Sequence, residues 1–158
     1  MAATKTSGGT SRAGKASTNV WTDEERAAMQ ESARERKAAS RRDPAEERAE
    51  GEAEVRAKIE EMPPDERVMA ERIHELVTGA APSLTPRTYY GMPAYAKDGK
   101  VICFLQTKSK FKVRYSTFGF QPDARIDDGE MWPVAFAVDQ LTPRAEARLV
   151  ELVKKAAS

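Results

Sequence analysis

The sequence predicts an α+β fold: an antiparallel β-meander covered by N- and C-terminal helices, with a charged helical extension ahead of it. Three observations predict it. Apolar residues recur at helical spacing as far as Ala80, then give way to strand-like runs from Tyr89 onward. Asp98-Gly99 supplies the two positive-φ residues of a type I′ hairpin between two such runs. Thr142-Pro143 then opens a last amphipathic helix. Strands in one block with helices on either side point to an α+β layer rather than to alternating βα units.

Polarity along the 158 residues is uneven, and this divides the chain. Through Met62 the sole aromatic residue is Trp21, and the branched aliphatics are few. Beyond residue 62, Val, Ile, Leu, Phe and Tyr are frequent enough for a core of the size that folds without staples. Three parts are expected: a flexible basic tail over 1–21, a charged helical extension over 22–62, and a folded domain over 63–158.

In the extension, Thr22-Asp23-Glu24-Glu25 is a capping box that starts a helix running to about Arg42. Its apolar handles are Trp21, Ala28 and Met29, without a continuous stripe, so a solvated helix held by charge pairs is expected. Asp43-Pro44-Ala45-Glu46 repeats the start signal, and Val55, Ile59 and Met62 give the second half of the next helix a face to bury. Pro63-Pro64-Asp65-Glu66 ends that helix and begins another, with Met69, Ile73, Leu76, Val77 and Ala80 facing the core. His74, beside Ile73, is expected on the rim or surface.

Tyr89–Lys97 reads as a strand interrupted by Gly91 and Pro93, a pattern that implies an edge or a bulge. Val101–Gln106 is the second strand, with Cys103 a small buried hydrophobe within it. Thr107–Lys110 reads as a polar turn. Phe111, Val113 and Tyr115 alternate with Lys112, Arg114 and Ser116 as a third strand. A long loop from Gly119 to Pro133 precedes a short fourth strand, Val134–Val138. The last helix presents Ala145, Leu149, Leu152, Val153 and Ala156 to the core.

Several function classes are excluded. A net charge of +1 makes no global commitment to nucleic acid or a membrane surface. One histidine and one cysteine are too few for common zinc or haem sites or for a disulfide framework. There is no nucleophile elbow and no phosphate-binding loop, so an enzyme is not expected. No run approaches the length of a membrane helix, and the N-terminus has no secretory h-region; a cytoplasmic location is expected.

Two polar or concave features remain. Lys108, Lys110, Lys112 and Arg114 alternate in a stretch that contains no acid from 101 to 120, which on a strand sets the cations on one face. Such a face suits an anionic ligand or a nucleic-acid backbone; equally, it is a solvated face whose lysines deter edge pairing. The Gly91/Pro93 break, in turn, aims Tyr90, Met92, Tyr95 and Trp132 at a shallow aromatic pocket, or else these side chains complete the core beneath the hairpin.

The run Tyr89-Tyr90-Gly91-Met92-Pro93-Ala94-Tyr95, with Phe104 in the next strand and the apolar run Phe111–Phe118 behind it, resembles the YdhG-like domain-of-unknown-function family. That family is grouped with small frataxin-like α-β-α proteins, and the similarity runs from about Ala70 to Ala157. The resemblance implies a non-catalytic iron-binding or iron-chaperone protein that passes iron to an acceptor protein. Iron handling of this kind uses exposed carboxylates. Asp123, Asp127, Asp128 and Glu130 in the long loop are the matching candidates here, although Asp127-Asp128-Gly129 is also an ordinary turn. The near-neutral chain lacks the dense acidic ridge of frataxins. The alternative is a small-molecule or anionic-ligand binding module that uses the Gly-Met-Pro break and the basic strand.

Overall fold

The computed structural model describes residues 21–39 and 43–158, so the expected basic tail up to residue 20 and the expected helix end at Arg42 lie outside the described residues. Four helices and five strands follow in the order α1 (Asp23–Ala39), α2 (Pro44–Glu60), α3 (Pro64–Ala80), β1 (Thr85–Tyr89), β2 (Met92–Lys97), β3 (Lys100–Gln106), β4 (Ser116–Phe120), β5 (Ala135–Val138) and α4 (Pro143–Ala157). The sheet is an antiparallel meander, β1-β2-β3-β4-β5, and the α+β class is as predicted.

The helix starts follow the capping signals. Glu25 N–H donates to Thr22 Oγ1 at 3.1 Å while Thr22 N–H donates to Glu25 Oε2 at 2.9 Å, a reciprocal capping box. Asp43 caps α2 through Glu46 N–H, and Thr142 caps α4 through Ala145 N–H.

One core joins Val55 and Ile59 of α2, Ile73 and Val77 of α3, Tyr95, Cys103, Leu105 and Phe118 of the sheet, and Leu149 and Val153 of α4. The second extension helix is therefore built into the domain. Gly51 shows how closely: a Cβ there would fall 2.0 Å from the carbonyl oxygen of Pro86, so α2 lies directly against the β1 backbone. The residue that weakens the helix on propensity grounds is what permits the contact.

Three strand expectations are corrected. First, Tyr89–Lys97 is not one broken strand. Tyr90 and Gly91, with φ of 50° and 75°, form a tight turn between β1 and β2, where Tyr89 pairs with Met92. The bulge lies elsewhere, between Tyr95 and Ala96 against β3. Pro93 is tolerated because it pairs with Thr88 on one side and lies beyond the end of the β2–β3 ladder, which starts at Ala94, on the other.

Second, β1 itself was hidden by Pro86, which reads as a breaker but sits in the sheet, paired with Tyr95. Third, residues 111–115 continue the loop that opens with the expected turn at 107–110 and are not a strand; the strand runs from Ser116 to Phe120. The loop is pinned near its start by a buried carboxylate, since Ser109 donates both its N–H and its hydroxyl to Glu66, which is 4% exposed. Lys112 has φ 54°, which no strand residue adopts. Val113 and Tyr115, expected to point inward, are 46% and 39% exposed. Gly119 and Phe120 belong to β4 and Val134 precedes β5, so the irregular segment before β5 is shifted to 121–134.

Candidate functional site

Rearrangement of the strands disperses the sequence-predicted sites. Of the four cations expected on one strand face, Lys108 pairs with Asp65 at 3.6 Å, Lys110 with Glu31 at 3.7 Å and Lys112 with Glu24 at 2.6 Å. Arg114 lies 5.1 Å from the Tyr115 ring centroid. These groups lie on a loop whose lysines meet acids, not on a free basic face.

The aromatic set divides as well. Tyr95 is buried in the core, Met92 and Pro93 lie beside Gly91 against Glu31 and Lys110, and Trp132 packs on the core's edge. Asp123 of the long loop faces Lys100 at 3.6 Å, and Lys155 donates to the backbone carbonyl of Asp127. Among the described residues no group of three or more His, Cys, Asp or Glu side chains is placed to hold a metal ion.

His74 is a correction. It is 3% exposed, not a rim residue, and its ring joins two polar side chains. Nδ1 lies 2.9 Å from Tyr95 Oη and Nε2 lies 2.8 Å from Glu52 Oε1, which also accepts from Arg56 Nε at 2.7 Å. The Glu52 carboxylate only accepts, which puts the ring proton on Nε2, and in the neutral imidazole Nδ1 then accepts from the Tyr95 hydroxyl, which burial keeps protonated. Burial of Glu52 is outweighed by His74 and Arg56, leaving its carboxyl below the ordinary range. The relay ties α2, α3 and β2 together as a fully partnered polar network. Cys103, the neighbour of Tyr95 across the β2–β3 pair, is buried and its thiol pKa is pushed up by desolvation, so it offers no reactive thiolate there.

Several concavities open on the surface, among them one of about 300 Å³ lined by Glu31, Arg34, Glu35, Glu54 and Lys58 of α1 and α2; two others differ from it in character. One, of about 270 Å³, opens between β5 and α4 and is lined by Ile73, Phe118, Phe136, Leu141, Leu149 and Leu152, with Arg148 over Phe136 at its rim. Its lining is mostly apolar, with Asp139, Gln140 and Arg148 as the polar members.

The other, about 410 Å³, is the larger and the more differentiated. Its walls come from four places: Ser32 and Arg36 of α1; Arg87, Tyr89 and Tyr90 of β1 and its turn; Gly99, Lys100 and Val101 of the second hairpin; and Gln121–Asp123 after β4. Ala28 and Ser32, one turn apart on α1, are both buried, which sets Arg36, another turn on, at the cleft. The cleft thus carries three cations, Arg36, Arg87 and Lys100, and one acid, Asp123.

Its aromatic edge is Tyr90, whose ring meets Tyr89 edge-on at 4.6 Å; Tyr89 in turn leans on Phe104 at 5.9 Å. Burial, and then the neighbouring Tyr90, raise the Tyr89 phenol, so it remains a neutral donor at physiological pH. Tyr90 occupies the first positive-φ position of a two-residue turn, where Asn, Asp or Gly is the inexpensive choice. The companion hairpin uses Asp98 at φ 52° in that position. The turn chemistry therefore does not explain this tyrosine. Sequence reasoning had Tyr90 but missed Arg36, Arg87 and Lys100, since no local pattern joins α1 to two hairpins.

Comparison with protein-family models, curated proteins and solved structures finds no match to this chain.

Proposed function

We propose that the protein is a binding module for a flat, anionic small molecule, held in the cleft between α1 and the two hairpins. The observation that carries this reading is Tyr90: a bulky residue kept at φ 50°, beside a second tyrosine, in a cleft with three cations and one acid. Residues in that backbone region cost about 1–2 kcal/mol and concentrate where a side chain must be aimed. Tyr90, braced edge-on by Tyr89, would supply a π face for a planar ring, and Arg36, Arg87 and Lys100 would neutralise a carboxylate or phosphate. A cleft of about 410 Å³ lies within the usual range for ligand sites. The iron-delivery reading draws no comparable support, since its four loop carboxylates are not gathered among the described residues.

Isothermal titration of the full chain with adenosine 5′-monophosphate, 4-hydroxybenzoate and neutral adenosine tests the proposal. At least one of the two anions should bind, and adenosine should bind at least about tenfold more weakly than the nucleotide, a difference near 1.4 kcal/mol. Arg87→Ala combined with Arg36→Ala should abolish the anion response. Absence of binding by either anion at about 1 mM, or binding that survives the double substitution, rejects the cleft as the site.

A further inference from the structure

Helix α1 is seated on the domain by charge more than by apolar area. Among the described side chains of α1, Ala28 is the one buried hydrophobe. Its polar attachments are more numerous. Glu24, Glu31 and Glu35 are spaced seven and four residues apart, which puts all three on one side of the helix. Lys112 Nζ lies 2.6 Å from Glu24 Oε1, and Lys58 Nζ lies 2.9 Å from Glu31 Oε1. Lys110 Nζ approaches Glu31 Oε2 at 3.7 Å, and Gly91 N–H donates to Glu35 Oε1 at 3.0 Å.

The groups that receive these acids are positioned without α1. Lys58 is on α2, one residue from the core side chain Ile59. Gly91 is fixed by the tight turn, and the loop carrying Lys110 and Lys112 is anchored by Glu66 through Ser109. With α1 seated, Lys58 and Lys110 are 29% and 25% exposed, so the helix itself shields these charges from solvent. Together they form a preset cationic seat.

The fit of α1 to this seat is incomplete. Glu35 Oε2 is buried without a hydrogen-bond partner among the described residues, and Glu31 Oε2 has only the longer ion pair with Lys110. An unsatisfied buried acceptor of this kind weakens the interaction that buries it. A better-matched helix has something to gain.

We propose that Lys58, Gly91, Lys110 and Lys112 form a docking surface for an acidic helix of a partner protein, which α1 covers in cis. The cis helix shows the recognised chemistry: carboxylates at seven- and four-residue spacing on one helical side. Attachment to the same chain gives α1 a high effective concentration, so the partner competes only where its contacts are better. Displacing α1 also removes Ser32 and Arg36 from the cleft wall.

The test uses the full chain and a synthetic alanine-based helix with glutamates at the same spacing; no cleft ligand enters it, so its outcome is independent of the small-molecule proposal. Fluorescence anisotropy of the labelled peptide should show at least about tenfold tighter binding to the Glu24→Gln, Glu31→Gln chain than to wild type, roughly 1.4 kcal/mol of relieved competition. Adding Lys58→Gln and Lys110→Gln should remove that binding. In wild type, excess peptide should accelerate amide exchange over residues 23–39 while leaving α3 unchanged, a readout that needs no variant to fold. Equal binding to wild type and the glutamine variant, retention after the lysine substitutions, or no acceleration in α1 overturns the proposal. A DNA duplex that accelerates α1 exchange where the peptide does not overturns it in favour of a nucleic-acid surface.

Discussion

At the scale of single residues, Tyr90 gives the sharpest separation of stability from function. Tyr90→Asn would relieve about 1–2 kcal/mol of left-handed strain. It would also lose the edge contact to Tyr89, worth roughly 0.5–1.5 kcal/mol. These offset, so the urea midpoint should correspond to a stability within about 1 kcal/mol of wild type. Anion binding in the cleft should nevertheless fall at least about tenfold. A large loss of stability with binding retained would assign Tyr90 to packing. Residue roles were legible where neighbours in sequence share them. Cys103 reads as a buried hydrophobe and is 0% exposed. His74 carried a readable signal that a glance at Ile73 alone misses: Ala70, Ile73, His74 and Val77 share one helical face, and all four are buried. Its partners Glu52 and Tyr95, however, come from other elements, and no spacing joins them.

At the scale of elements, capping chemistry read true while strand boundaries did not. Thr22, Asp43 and Thr142 act locally, through amides three residues away. The loop over 107–115 is decided by distant groups, chiefly Glu66 of α3, so its alternating pattern misleads. The docking of α1 carries a pH dependence whose sign follows from two carboxylates. Burial pushes Glu35 up and outweighs the bonds from Gly91 and Thr88 and the nearby Arg87 charge, so its ionised form weakens docking. That penalty fades as pH falls through its raised folded value, and is gone below the ordinary 4.5. Burial acts the same way on Glu31, but Lys58, Lys110 and Arg34 outweigh it and hold its pKa low. The stabilisation from Glu31 is present above 4.5 and is lost as pH falls through the lowered folded value. Exchange protection of α1, normalised to α3, should therefore peak near pH 4.5 instead of near neutrality. A monotonic rise from acid to neutral pH would show that Glu35 is not buried against the turn.

At the scale of the whole molecule, the expected boundary between extension and domain does not separate two packing units. The α+β class and the meander followed from period and turn signals, and the face of Val55 and Ile59 was legible in their spacing; how fully α2 joins the core was not, because those two side chains are sparse among charges. A chain beginning at Asp43 keeps those side chains and Glu52, and it should unfold cooperatively with near-wild-type far-ultraviolet signal per residue. A chain beginning at Pro63 loses two fully desolvated aliphatic side chains, each worth about 2–5 kcal/mol by analogy with truncation to alanine. It also leaves His74 Nε2 without its carboxylate. Loss of that much exceeds a large part of the stability of a small domain, so this shorter chain should melt without a transition by circular dichroism. Equal stability of the two chains would make α2 an appendage.

The burial of Cys103 has a practical side. It is the only thiol in the chain, it lies on β3 between β2 and β4, and it is inaccessible in the folded state. A thiol reagent reacts there only when the middle of the sheet parts, so the rate of modification times the opening of the molecule itself. The protein carries its own unfolding clock, with no label to introduce.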